Sequence, residues 1–148
     1  AASKEKILTR IQTYPEGFIV LENKEEIVGF INSGATHIVE LSDEAFKELV
    51  GHDPQGKYIV IMSVVVHPKY QGQNMANKLL SSFINTMNQL DKTKIYLICQ
   101  TALIPMYAKH GFIHVGESDS HMGVSVGTKC RFRCKANDKS LGLIKRVA

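Results

Sequence analysis

Residues 64–76 combine the residue types that bind an anion through backbone groups. The sequence VVVHPKYQGQNMA passes from three β-branched residues through Pro68 and Gly72 into an apolar helix. Gly72 permits positive φ, and Asn74 tolerates it better than most residues do. Free N–H groups at the start of a helix attract phosphate, because the helix dipole places about +0.5 charge there. The pattern suits a turn that holds a pyrophosphate, although an ordinary strand-to-helix loop can have the same composition.

The elements that would position this turn alternate between strands and helices. In chain order, periodicity and capping residues predict a helix over 4–13 capped by Ser3, strands over 18–22 and 27–32, a short helix opened by Ser42, a strand over 58–66, a helix from Ala76, a strand over 94–99, a short helix ended by Gly111, and a strand over 112–116. The apolar face of the helix from Ala76 consists of Leu79, Leu80, Phe83, Ile84 and Met87. This order predicts an α/β fold with at least two strands inside a sheet.

Length and composition favour one globular domain in a reducing compartment. The chain has 148 residues, of which 44% are apolar, so a single packed core is expected rather than disorder. No run of about 18 apolar residues exists, and no membrane span is predicted. The scattered Cys99, Cys130 and Cys134 suit the cytoplasm better than a disulfide scaffold, and they complete no metal site.

Two segments together resemble the GNAT superfamily of N-acetyltransferases. The family motif Q/R-x-x-G-x-G/A is similar to Gln71, Asn74 and Ala76, with Asn74 standing where the family usually has Gly. The later segment LICQTALIPMYAKHGF resembles the family's second motif, in which a helix carries a tyrosine before x-x-x-G-F; here that residue is Tyr107. The resemblance covers residues 3–122 and is closest to the arylalkylamine N-acetyltransferase-like branch.

The resemblance implies a GNAT fold and acetyl-CoA as the acetyl donor. Such a fold has a mixed, mostly antiparallel central sheet that splays at the cofactor site, with helices on both faces. The pantetheine arm would pair with backbone groups of β-strand residues, and the pyrophosphate would take N–H groups of the turn. The implied cofactor-binding residues are Val64, Val66, Gln71, Gly72, Gln73, Asn74, Met75 and Ala76.

By the same resemblance, Tyr107 is the candidate general acid. A phenol with a pKa of about 10 stays protonated at neutral pH and can donate to a leaving thiolate with a pKa of about 8.5. The alternative is that Tyr107 only packs on the core, as most helix tyrosines do.

The general base is not identified by the sequence. Animal arylalkylamine acetyltransferases carry histidines on the strand that matches residues 58–66, where this chain has Val60 and Met62. Direct attack assisted by water is therefore the expected mechanism. The alternatives are His52, Glu40 or His121 as the base and Cys99 as a nucleophile. His67 is expected to be structural, and no role is assigned to His37, His110 and His114.

The two ends depart from the family pattern. The usual first strand and helix, which help to form the acceptor pocket, are missing before the helix over 4–13, so the chain is expected to be a fragment or to lack them. The acetyltransferase domain would span 1–122, followed by a basic tail over 123–148. The branch usually closes with H-G-G-x-x-W-x-E-M, and permitted codons for residues 121–130, read one frame over, can spell His-Gly-Gly-Val-Ser-Trp-His-Glu-Met. We hypothesise a frame shift between about residues 116 and 121; coding DNA that cannot spell Trp-His-Glu-Met there would exclude it.

Charge is distributed unevenly along the chain. Residues 1–122 contain 11 Lys or Arg and 13 Asp or Glu, whereas residues 123–148 contain 7 basic residues and one acid. A basic tail can bind nucleic acid, but this one has a single aromatic residue, Phe132, and is expected to be solvated. The expected partners are acetyl-CoA and a small amine, and family members often form homodimers. A CoA-binding module with little turnover is the alternative function.

Overall fold

The computed structural model describes residues 3–39, 48–117, 127–133 and 144–146. The short helix predicted from Ser42 lies outside these ranges. The helices are α1 (Lys4–Thr13), α2 (Met75–Gln89) and α3 (Ile104–Lys109), with short 3-10 turns at Pro15–Gly17, Pro68–Tyr70 and Thr101–Leu103. The strands are β1 (Ile19–Asn23), β2 (Glu26–Thr36), β3 (Tyr58–Val66), β4 (Lys94–Gln100), β5 (Ile113–Glu117), β6 (Gly127–Arg133) and β7 (Ile144–Arg146).

The strands form one mixed sheet in the order β5-β6-β4-β3-β2-β1-β7. Within the described residues, β3 and β4 pair in parallel and the other neighbours pair antiparallel. The parallel connection passes through α2, as a crossover between parallel strands requires. The predicted fold class is confirmed.

Helix α1 has the bounds that its sequence predicts. The Ser3 hydroxyl accepts a hydrogen bond from the Lys6 N–H at 3.3 Å, which satisfies one of the free donors at the helix start. The helix ends at Tyr14, whose N–H still bonds to the Arg10 carbonyl at 3.0 Å.

The core lies between α2 and the central strands. The buried face of α2 consists of the five apolar residues named from periodicity, Leu79, Leu80, Phe83, Ile84 and Met87. They share one apolar cluster with Ile31, Ile59 and Ile95 of the sheet. Each buried aliphatic or aromatic side chain stabilises the fold by about 1.5–3 kcal/mol relative to exposure, so α2 is held on the sheet mainly by this face.

The structure differs from the sequence prediction after residue 122. The sequence predicts a solvated basic tail, yet β6 pairs with β4 along seven residues and with β5 on its other side. Lys94 pairs with Arg133 and Gln100 with Gly127 at the ends of that ladder. Backbone pairing along an otherwise open edge of β4 explains why a polar segment is drawn into the sheet. In the described part of the chain, no helix is long and apolar enough to cross a membrane.

Candidate active site

Strands β3 and β4 separate after a short paired segment. Their register consists of three pairs, from Tyr58 with Lys94 to Val60 with Tyr96. Strand β3 continues to Val66 and remains paired with β2, where Gly29 is opposite Val66. Strand β4 likewise continues to Gln100 on β6. The facing edges beyond Val60 therefore form a wedge-shaped cleft whose backbone groups have no partner strand among the described residues.

Two residues of the turn that follows β3 have a left-handed backbone conformation. Gly72 has φ +77° and Asn74 has φ +66° with ψ +20°. A Cβ on Gly72 would meet no atom within 4 Å. Glycine suits this position because of its positive φ, since no neighbouring atom would crowd a larger side chain. The expectation that Asn74 can replace a glycine by adopting positive φ is confirmed.

The start of α2 presents backbone donors. Asn74 is the N-cap residue, but its side chain makes no capping bond, and the first turn contains no acid. The Lys78 N–H bonds to the Asn74 carbonyl at 3.3 Å, so the N–H groups of Met75, Ala76 and Asn77 come before the first helical bond. Those donors and the helix dipole suit a phosphate.

An ionic group anchors the segment that leads into the turn. The Glu26 carboxylate accepts hydrogen bonds from the Tyr70 hydroxyl and, at 3.2 Å, from the Lys69 ammonium. The Tyr70 and Lys69 bonds hold the pKa of Glu26 below its usual value, and the bond to Glu26 raises the pKa of Lys69. His67 accepts the Lys69 N–H at 3.1 Å on Nδ1, which is the structural role expected for it.

The two glutamines of the turn bind nearby main-chain oxygens. The Gln71 amide donates to the Val66 carbonyl at 3.3 Å, and the Gln73 amide donates to the Lys69 carbonyl at 3.3 Å. Both side chains are exposed. Gln71 therefore ties the turn to the end of β3.

The residues that end α3 fix the position of Tyr107. Gly111, with φ +86°, reverses the chain so that the Phe112 N–H bonds to the Tyr107 carbonyl at 3.3 Å. The two rings then pack in a T-shape with centroids 5.5 Å apart. Tyr107 is only 5% exposed and belongs to the same apolar cluster against which Val64, Val66 and Met75 pack. Both predicted motifs thus contribute residues to the same core.

His110 is bonded to the start of α2, a contact that the sequence does not reveal. Its Nε2 lies 2.7 Å from the Asn77 Oδ1, and its Nδ1 lies 3.5 Å from the Ser81 Oγ. Burial lowers the pKa of His110. The sequence gives no local signal for this contact, because Asn77 and His110 are 33 positions apart.

Of the three candidate bases, His52 alone is among the described residues, and it lies beside the paired part of β3 and not at the cleft. His52 Nδ1 accepts the Ala35 N–H at 3.0 Å, and Ala35 is opposite Ile59, where β3 is still paired with β4. Burial is the main cause that lowers the pKa of His52. His37 bonds to Asp53 at 2.8 Å.

The sequence also named a candidate nucleophile, Cys99, which lies in β4 and is 7% exposed. Val60 and Met62, which stand where animal enzymes of the resembled branch have histidines, are half-buried in β3. The two remaining candidate bases, Glu40 and His121, lie outside the described residues.

Comparisons with known proteins agree with this architecture. The loading GNATL domain of CurA from Lyngbya majuscula superposes with a TM-score of 0.75 at 17% identity, covering 90% of this chain and 84% of that one. The protein yncA from Salmonella typhimurium, solved with its cofactor acetyl-CoA, gives a TM-score of 0.65 at 18% identity, covering 96% of this chain and 80% of that one. The paia N-acetyltransferase from Thermoplasma acidophilum, solved with coenzyme A, gives 0.62 at 16% identity, covering 88% and 71%. These similarities concern the fold.

No curated protein matches the chain. The model of the acetyltransferase (GNAT) family, in contrast, matches residues 2–112, about three quarters of the sequence. Because that match spans the cleft, the turn and α3, this chain belongs to the GNAT family of acetyltransferases, which use acetyl-CoA.

Proposed function

We propose that this protein transfers the acetyl group of acetyl-CoA to a primary amine of a small molecule by direct attack on the thioester. The observation that carries the proposal is the position of the β3–β4 cleft immediately before a left-handed turn and an uncapped helix start. Acetyl-CoA is an extended pantetheine arm joined to a pyrophosphate, and these two features accept those two parts in that order. The resemblance to the arylalkylamine-like branch supports a small amine as the acceptor.

The cofactor would be held mainly by backbone groups. Val64 and Val66 offer the open edge of β3 to the amides of the pantetheine arm, as an added strand would be held. The N–H groups between Gln71 and Ala76 take the phosphates. Acetyl-CoA supplies an acetyl thioester, and the protein holds it where the strands diverge.

Proton transfer would involve Tyr107 and water. The Tyr107 hydroxyl donates the proton that the departing sulfur requires, since a phenol stays protonated at neutral pH. An amine with a pKa of about 10 must first lose a proton. Val60 and Met62 cannot accept it, so water accepts it. The neutral nitrogen then forms the C–N bond as the C–S bond breaks, and the second proton that the nitrogen loses replaces the one that Tyr107 gives to sulfur.

A CoA-binding module with little turnover is the second candidate. The apolar side chains of Val60 and Met62, half-buried on the strand that borders the cleft, favour it, because they provide no base. Binding of acetyl-CoA without acetylation of any amine would identify this function.

The first experiment is calorimetric titration with acetyl-CoA of the parent and three glycine variants. Gly72→Asp places a carboxylate beside the proposed phosphate site and should weaken binding at least about tenfold through like-charge repulsion. Gly72→Asn carries no charge and tolerates positive φ, so it should bind nearly as the parent does.

Gly51→Asp is the matched control. Gly51 also has positive φ, +82°, and a Cβ added there would meet no atom within 4 Å, but it lies in the segment before His52. It should leave binding unchanged. Equal binding by the two Gly72 variants would refute the phosphate site, and no binding by the parent would refute the function.

A further inference from the structure

A chain of side-chain hydrogen bonds connects the proposed phosphate turn to α3. The Asn77 Nδ2 donates to the Asn74 Oδ1. The Asn77 Oδ1 lies 2.7 Å from His110 Nε2, and His110 Nδ1 lies 3.5 Å from the Ser81 Oγ. The four residues come from the N-cap of α2, the first two turns of α2 and the end of α3.

The direction of each bond follows from the chemistry of the groups. Because the Asn77 amide nitrogen donates to Asn74, its carbonyl oxygen faces His110 and can only accept. His110 Nε2 must therefore carry a proton. Nδ1 is then free to accept from the Ser81 hydroxyl, and the imidazole is neutral. Burial, which lowers the pKa of His110, agrees with that form.

This arrangement changes what Asn74 does at the helix start. An asparagine N-cap normally accepts a backbone N–H of the first turn with its side-chain oxygen. Here the Asn77 side chain binds that oxygen, Asn74 has a left-handed backbone where a capping residue is usually extended, and Asn74 makes no capping bond. The backbone donors of α2 are consequently left for a ligand.

The far end of the chain of bonds lies three residues after Tyr107. The His110 N–H bonds to the Tyr107 carbonyl at 2.9 Å and closes α3. His110 therefore connects two helices. Its backbone closes α3, which carries the candidate acid, and its side chain holds that end against the start of α2.

We infer that Asn77 and His110 are positioning residues that keep the start of α2 open to the phosphates of acetyl-CoA and hold α3 in register with it. This inference rests on the proposed function. It assigns a role to two residues whose side chains bond to each other across α2 and α3.

The test compares two replacements of His110 that differ in where they place an amide. His110→Gln puts an N–H donor near the position of Nε2 and should restore the bond to Asn77. His110→Asn puts it near Nδ1 and should not. Asn77→Ala removes the bond from the other element, and His37→Asn, which breaks the distant contact with Asp53, is the control.

Acetyl-CoA affinity is measured by calorimetry for each folded variant. His110→Asn and Asn77→Ala should each weaken binding about three- to tenfold, the effect of one lost hydrogen bond. Their double variant should lose little more than either single one, since both break the same bond. His110→Gln and His37→Asn should bind as the parent does.

The outcomes separate this inference from the function on which it rests. A parent that fails to bind acetyl-CoA overturns the proposed function. A parent that binds, together with unchanged affinity in both His110→Asn and Asn77→Ala, overturns the inference alone. Nitrogen NMR provides a reading without acetyl-CoA: a His110 Nε2 without a proton in the free protein also contradicts it.

Discussion

Asn74 and Gly72 set the path of the chain between β3 and α2. A left-handed conformation costs an ordinary residue about 1–2 kcal/mol, but it costs glycine little and asparagine less than most. Asn74 also uses its side chain, which accepts from Asn77. The position that the family usually fills with glycine is thus occupied by a residue that adds a contact while keeping the same backbone shape.

Tyr107→Phe isolates the hydroxyl of the candidate acid. The phenyl ring should keep its T-shaped contact with Phe112, so the fold and acetyl-CoA affinity should change little. The turnover number should fall about 10²-fold or more, because general acid catalysis contributes on that scale. Steady-state kinetics with a saturating amine measures it.

Phe112→Leu is the control for packing at this place. It disturbs the ring contact and leaves the Tyr107 hydroxyl present, so its turnover should exceed that of Tyr107→Phe. Unchanged turnover in Tyr107→Phe would assign Tyr107 to the core alone.

Sequence reasoning reached some residues of the site and not others. The positive φ of Asn74 follows from its residue type, and the buried face of α2 follows from the helical spacing of its apolar residues. The bond between His110 and Asn77 joins residues 33 positions apart and depends on how α3 packs on α2. No local pattern contains that information.

At the scale of elements, the β2–β3 pair determines how far the cleft wall extends. Strand β2 runs to Thr36, beyond the predicted end at residue 32, because its partner β3 continues to pair as far as Tyr58. A register shift between Asn32 and Ser33 accommodates this length. Hydrophobic alternation along one strand does not reveal where its neighbour ends, which is why the predicted strand stops short.

Gly29→Ala tests the contact between that pair and α2. A Cβ at Gly29 would lie 2.3 Å from the Val65 carbonyl oxygen and 3.0 Å from the Leu79 Cδ1. The end of β3 would have to move, so we expect a loss of about 1–3 kcal/mol in the free energy of unfolding. Acetyl-CoA affinity should fall as well, because Val66 is opposite Gly29.

Urea unfolding and calorimetry measure the two effects. Gly51→Ala adds the same methyl group in open space and serves as the control for binding. Full stability in Gly29→Ala would contradict the close packing described.

For the whole molecule, stability should fall as the pH decreases below about 6.5. Burial lowers the pKa of both His52 and His110 from the ordinary value of 6.5. The unfolded chain then binds protons that the folded protein does not, so protonation favours unfolding. The stability is fully present above pH 6.5 and is lost below it, at no more than about 1.4 kcal/mol per pH unit for each histidine.

Urea unfolding at pH 7.5 and at pH 5.5 checks this slope. The pKa values of Glu26 and Asp53 are also lowered, but those carboxylates begin from 4.5 and 3.8 and act mainly below this window. The variant His52→Gln with His110→Gln should show a smaller decrease. An identical decrease would assign the acid sensitivity to other groups.

The divergence of β3 and β4 has a consequence for behaviour in solution. An open strand edge can capture an extended segment of another chain, and proteins usually shield such edges. Here the backbone groups on the edge of β3 that faces β4 have no partner strand beyond Val60 among the described residues, and the Gln71 amide covers the Val66 carbonyl. Bound acetyl-CoA would cover this strand edge and suppress self-association, so the cofactor would also protect the protein from aggregation.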